Sequence, residues 1–219
     1  MKIWEKYEDY LLTGEWHVHT NYTDGKNTVK DLCEKATTLN IPLIAFTEHV
    51  RKNLNYDFND FLTDIDTCKN EFPDLIILSG LEAKVLPDGT LDVLDDILNT
   101  VDYPIFAYHG FPKDITTYLE TLNGIVSKSK FAKRLNTWAH PGLFFQKNPN
   151  LLNELDEDIL KEIFITMKKN KILLEINSKY NLPYQNWINL AKNEDISLNF
   201  VKGSDIHDLN NLNNEKLQI

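Results

Sequence analysis

Short apolar runs alternate with amphipathic stretches along the whole chain, and this alternation limits the fold more than any other feature. The runs fall at residues 15–19, 41–46, 75–78, 104–108, 137–140, 172–176 and 197–201. Strand-length apolar segments separated by helical periods predict parallel strands joined by crossover helices. Thr28, with Asp31 three residues on, predicts a capped helix start, and Val29, Leu32, Ala36 and Leu39 form the stripe that follows. Phe58, Phe61, Leu62, Ile65, Cys68 and Phe72 give a second stripe. Ile115, Tyr118, Leu119, Leu122, Ile125 and Val126 give a third. Leu155, Ile159, Ile163, Phe164 and Met167 give a fourth, ending in Lys168-Lys169, which suit a helix C-terminus. Trp187, Leu190 and Ala191 mark a fifth, and a less regular pattern covers residues 92–98. About seven such units predict an α/β chain folded as a (β/α) barrel with one unit fewer than the usual eight. No Pro/Gly/Ser linker divides the chain, so residues 1–219 are expected to form a single domain.

The six histidines all follow these apolar runs. They stand as His17-Val-His19, Glu48-His49, Tyr108-His109, His140-Pro141 and Asp205-Ile-His207, with Asp24 and Glu82 at matching positions. Two residues two apart on a strand point to one face, so His17 with His19, Glu175 with Asn177, and Asp205 with His207 each share a face. In βα barrels the chemistry sits where strands end and βα loops begin. Imidazole and carboxylate donors gathered there suit zinc, manganese or iron.

Bulk properties narrow the classes. Hydrophobic residues make up 42% of the chain, a globular value. The net charge of −10, from 33 acids and 23 bases, argues against tight binding to long nucleic acid. The only two cysteines, Cys33 and Cys68, lack metal-finger or redox spacing and are expected to be reduced and partly buried. The opening Met1-Lys2-Ile3-Trp4-Glu5-Lys6 is charged and lacks a signal-peptide core, and no apolar run reaches membrane-spanning length. A cytoplasmic protein without a membrane partner is expected, and its oligomeric state is left open.

The ordered set resembles the PHP family, the polymerase and histidinol phosphatase superfamily. The matching segments are His17-Val-His19 with Asp24-Gly25, Glu48-His49, Gly80-Leu81-Glu82, His109-Gly110, His140-Pro141 and Ser204-Asp205-Ile206-His207, spread over residues 15–207. The resemblance implies a distorted (β/α)7 TIM-like barrel carrying three divalent metal ions. By position, His17, His19, Glu82 and Asp205 would hold the first. Glu82 would bridge to a second, completed by His109 and His140, and Asp24, His49 and His207 would hold the third. Glu48 is expected to support the site without binding metal. Glu175 and Asn177 resemble the family's Leu-Glu-x-Asn segment and are expected to orient ligands or substrate.

Hydrolysis of a small phosphate monoester follows as the expected function: histidinol phosphate, a nucleotide or a sugar phosphate. Clustered divalent ions lower the pKa of water toward about 7 and offset phosphate charge. No nucleophilic Ser or Cys motif is present, so metal-activated hydroxide is the expected nucleophile. Asp205, His207 and Glu82 are the expected catalytic residues, with Asp205 or a neighbouring histidine relaying a proton. Arg51, two residues after His49, is expected to bind phosphate, together with Arg134, Lys84, Lys179 or Asn177. Two other readings stay open: an amide or lactone hydrolase on the same barrel, and a non-catalytic metal-loaded module that binds a partner protein. The few residues after His207 leave little for a closing helix or lid.

Overall fold

Each apolar run becomes a strand, and each amphipathic stretch returns the chain to the same end of the sheet. The computed structural model describes residues 1–110 and 112–219. The strands are β1 (Glu15–Val18), β2 (Leu43–Val50), β3 (Ile76–Lys84), β4 (Tyr103–Ala107), β5 (Thr137–Trp138), β6 (Leu173–Asn177) and β7 (Phe200–Gly203). They lie in chain order in one sheet, and every neighbouring pair is parallel. The wall closes between β7 and β1. There His19 N donates to Ile206 O at 2.8 Å, and Ile206 N donates to His17 O at 3.0 Å. Beside this join, Ser204 donates through its N–H and its hydroxyl to the buried Glu15 carboxylate, at 2.7 and 2.8 Å. The result is a distorted (β/α)7 barrel.

The helices are α1 (Ile3–Lys6), α2 (Val29–Thr38), α3 (Phe58–Glu71), α4 (Asp95–Thr100), α5 (Ile115–Ser127), α6 (Ser129–Ala132), α7 (Leu143–Lys147), α8 (Glu157–Lys169) and α9 (Gln185–Lys192). The capping box before α2 forms: Asp31 N donates to Thr28 Oγ1 at 3.1 Å, and Thr28 N donates to Asp31 Oδ2 at 3.0 Å. Asp57, Asp114 and Asp156 cap α3, α5 and α8, each cap stabilising by about 1 kcal/mol. The stripe on α8 is shifted from the expected one. Leu160 is buried with Ile163, Phe164 and Met167, while Ile159 is 40% exposed. Leu160 holds the i, i+3, i+4, i+7 register, which puts Ile159 on the shoulder of the helix. Cys33 and Cys68 are buried free thiols on α2 and α3.

Strand alternation sorts the apolar residues into two layers. Ile44 and Phe46 of β2 belong to the large core between sheet and helices. Leu43 and Ala45 of β2, Leu78 of β3, Ile105 of β4 and Leu173 of β6 belong to a smaller inner cluster. Trp4 of α1 joins that inner cluster and donates through Nε1 to Lys171 O at 3.0 Å. This N-terminal helix is too short to show as a periodic pattern. β2 and β3 run past their expected ends, so that His49 pairs in register with Glu82. Gly80 permits this extension. A Cβ there would lie 2.8 Å from the carbonyl oxygens of both Phe46 and Tyr103. No helix among the described residues is long and apolar enough to cross a membrane.

Candidate metal centre

The face that carries Leu43 and Ala45 on β2 continues through Thr47 to His49. The same parity carries Leu78 to Glu82 on β3, Leu173 to Asn177 on β6, and Val201 of β7 to Asp205 just beyond it. The inner face is therefore apolar toward the strand starts and polar toward the strand ends. His109 follows β4 by two residues, and His140 follows β5 by two. His140 and Asp205 both have positive φ, 32° and 49°. Non-glycine residues rarely adopt this backbone, and such strain concentrates at functional sites.

The nine residues expected to bind metal converge. Glu82 is fully enclosed and stands at the middle. Its Oε1 lies 2.8 Å from His140 Nε2, 3.2 Å from His109 Nε2 and 3.9 Å from His17 Nε2. Its Oε2 lies 2.9 Å from His49 Nδ1 and 3.7 Å from His19 Nε2. Asp205 Oδ1 is 3.1 Å from His19 Nε2 and 3.5 Å from His17 Nε2. At the exposed rim Asp24 reaches His49 Nε2 at 3.4 Å and His207 Nε2 at 3.3 Å. Three groups have donor atoms all within 4.8 Å of one another: His19, Asp24, His49 and His207; His17, His19 and Asp205; and His49, Glu82 and His109. His19 and His49 thus each belong to two groups, which cuts across the partition that the resemblance implied.

The donors suit divalent cations. Burial disfavours charge on Glu82, but His109, His140 and His49 outweigh it and hold its carboxyl well below the usual range. Burial likewise opposes charge on Asp205, and His17 and His19 hold it far down. Burial, reinforced by the neighbouring histidines, pushes His19 down to about 3, leaving a neutral imidazole with a free lone pair. His49 Nδ1 and Glu82 Oε2 are buried and close, yet neither makes a hydrogen bond among the described residues; His19 Nδ1 is also unpaired. Buried unpaired polar atoms cost about 1–3 kcal/mol each, and a cation would relieve the lone pairs of His49 and Glu82. A mixed imidazole and carboxylate set fits zinc, manganese or iron.

The profile of the PHP domain family matches residues 15–179. The chain belongs to the PHP domain family. It is 26% identical over 213 residues to the DNA polymerase/3'-5' exonuclease PolX of Bacillus subtilis (strain 168). That match takes in 94% of this chain but 36% of the relative, so the chain spans about a third of its length. Among solved structures, it resembles a histidinol phosphate phosphatase from Lactococcus lactis complexed with zinc, L-histidinol and phosphate. The TM-score is 0.68 at 17% identity, over 90% of this chain and 87% of the other. It also resembles a two-domain protein from Bacteroides vulgatus containing a predicted PHP-like metal-dependent phosphoesterase. There the TM-score is 0.53 at 17% identity, over 90% of this chain and 52% of the other.

The residues expected to bind substrate separate by position in this PHP domain. Lys84 ends β3 on the same face as Glu82, toward the mouth. Arg51 lies beside the mouth, but its Nη1 donates to Val50 O at 2.7 Å and its Nε is 3.9 Å from Asp92. Arg134 precedes β5 and so stands at the opposite end of the barrel, where its Nη2 donates to Leu98 O at 3.2 Å. Topology thus removes Arg134 from the set, because residues that lead into a strand start lie a full strand length from the mouth. Asn177 is buried with both amide atoms engaged: Nδ2 donates to Glu175 at 3.0 Å, and Oδ1 accepts from Tyr180 N at 3.1 Å. These bonds shape the loop after β6 and use one donor and one acceptor position of the amide. That loop presents Lys179, whose Nζ lies 2.7 Å from Asp205 Oδ2 and 3.3 Å from His207 Nδ1.

Glu48 points away from the histidines, as expected of the residue before His49. Its carboxylate accepts from Thr20 N and Thr23 Oγ1, pinning the loop that carries Asp24. Glu15, which braces the barrel seam, was not singled out in the sequence. Its only signal there is an acid opening an apolar run.

Proposed function

We propose that this chain is a metal-dependent phosphoesterase that hydrolyses a small phosphate monoester. The observation that carries this reading is the convergence of eight donor residues in three mutually close groups, with His140 joined to them through Glu82, at the barrel mouth beside the Lys179 ammonium. His17, His19, Asp24, His49, Glu82, His109, His140, Asp205 and His207 would hold three divalent ions: zinc, manganese or iron. Such ions, when bound, polarise a phosphoryl group and lower the pKa of water toward about 7. Lys179 meets the substrate's phosphate from the loop after β6, with Lys84 on the facing strand. Asp205 and His207, both within reach of Lys179, pass a proton between solvent and the leaving group. The apolar inner cluster below keeps bulk water from the underside of the site. The relation to a phosphatase complexed with zinc and phosphate supports the reaction class, and the acidic net charge supports a small substrate over long nucleic acid.

The relation to an exonuclease over 94% of this chain favours a second reading, cleavage at a nucleic-acid end. One panel separates the two. Metal-loaded protein is assayed for phosphate release from histidinol phosphate, nucleotides and sugar phosphates, and for nucleotide release from single-stranded DNA. Amide and lactone substrates run alongside. Phosphate release that chelators abolish and manganese, zinc or iron restores is expected, with Asp205→Asn nearly inactive. No phosphate release with any metal would overturn the proposal.

A further inference from the structure

Glu175 is buried on β6, and its two oxygens serve opposite parts of the wall. His17 Nδ1, on β1, donates to Oε1 at 2.6 Å. Oε2 accepts the main-chain N–H of His140, just past β5, and Asn177 Nδ2 at 3.0 Å. These contacts do different things to the two histidines. Accepting a hydrogen bond from the Nδ1–H of His17 fixes the tautomer, leaving Nε2 to face His19 Nε2 at 3.1 Å and Asp205 Oδ1 at 3.5 Å. Gripping the N–H of His140 holds a residue whose φ is 32°, an orientation that sends its Nε2 to Glu82 at 2.8 Å. Behind the carboxylate lies Gly203 of β7. A Cβ built there would stand 2.0 Å from Glu175 Oε1 and 2.6 Å from Cδ. Gly203 does not have positive φ, so the demand for glycine is one of space alone.

We infer that Glu175 is a positioning residue that orients two histidines of the metal centre at once, and that Gly203 is the seat that admits its carboxylate. This rests on the proposed metal centre. Carboxylates that accept from a ligating imidazole orient it and raise its basicity, and their loss costs about 10- to 100-fold in metal affinity. Here one carboxylate supports two histidines that the family resemblance assigns to different ions, so its loss weakens more than one ion position together.

The test compares wild type with Glu175→Gln, Glu175→Ala, Gly203→Ala and the Glu175→Ala/Gly203→Ala double variant, all checked for fold by circular dichroism. An amide has a single acceptor oxygen, so Gln cannot accept from both His17 and His140. Zinc bound per chain is measured by elemental analysis across buffered free-zinc concentrations, and cobalt(II) is followed by its d–d absorption. Zinc affinity about 10- to 100-fold weaker at two positions is expected for Glu175→Gln, with an altered cobalt spectrum. Gly203→Ala should reproduce this loss in the wild-type background and add nothing in the Glu175→Ala background, where the clashing oxygen is gone. Wild-type affinity and spectrum in Glu175→Gln, a loss confined to one position, or an additive effect of Gly203→Ala would overturn the inference. A wild-type chain that binds neither zinc nor cobalt overturns the metal centre and this role with it. If wild type binds both ions and Glu175→Gln binds them equally, only the role fails.

Discussion

Replacing Lys179 with Met removes one ammonium and keeps most of the side chain's bulk. The Nζ lies 2.7 Å from Asp205 Oδ2, the side chain is 38% exposed, and the Tyr180 ring sits 5.2 Å away. Burial disfavours the charge, but Asp205 outweighs it and raises the pKa, so the group is charged at neutral pH. A phosphate charge about 4 Å away would gain roughly 4 kcal/mol of gross attraction at an effective dielectric of about 20. Partial exposure and competition from Asp205 reduce this to about 1.5–3 kcal/mol, the usual range for a hydrogen bond to a charged group. At about 1.4 kcal/mol per tenfold, kcat/KM should fall roughly 10- to 150-fold. The assay is steady-state hydrolysis of para-nitrophenyl phosphate at saturating metal, with inorganic phosphate as inhibitor and metal content measured in parallel. Inhibition by phosphate should weaken with kcat/KM, and Lys179→Arg should keep part of the activity. A kcat/KM within about threefold of wild type at unchanged metal content would refute the argument and leave Lys179 as a partner of Asp205 only.

Arg134→Ala should leave kcat/KM within about twofold of wild type, because the residue stands at the far end of the barrel; steady-state kinetics checks this. Removing metal with a chelator should lower the melting temperature by roughly 5–10 °C. That follows from one site filled at about 100 times its Kd, worth about 2.7 kcal/mol, at about 2–4 °C per kcal/mol; calorimetry with and without chelator reads it, and an unshifted transition counts against the centre. Glu48→Gln loses one of two buried acceptors and should cost about 1–3 kcal/mol in urea denaturation. It should also lower activity, because the loop that carries Asp24 loosens.

Much of this was readable in advance because strand alternation and metal chemistry obey separate rules that meet at the strand ends. His17 and His19, or Asp205 and His207, reveal both a shared face and a donor type from spacing alone. What spacing cannot reveal is reach across the barrel. Glu175 and Asn177 have the same separation as those pairs, yet both turn their polar atoms to neighbours, His17 and the His140 main chain for one, Tyr180 for the other. Which histidines group together was equally hidden, because His19 and His49 sit between clusters. Arg134 shows a different failure. Its charge suits phosphate, but its place before β5 sets the end of the barrel on which it lies. Helix α1 carries no period in four residues, although its Trp4, with Ile3 beside it, packs into the inner cluster.

The join between first and last strands gives the centre a second consequence. His17 and His19 stand on one bank of that join, Asp205 and His207 on the other, and few main-chain bonds cross between them. A cation gripped from both banks rivets the cylinder shut. Breathing of the wall and escape of the ion then become one motion, and amide exchange at His19 and Ile206 would register occupancy before any substrate is added.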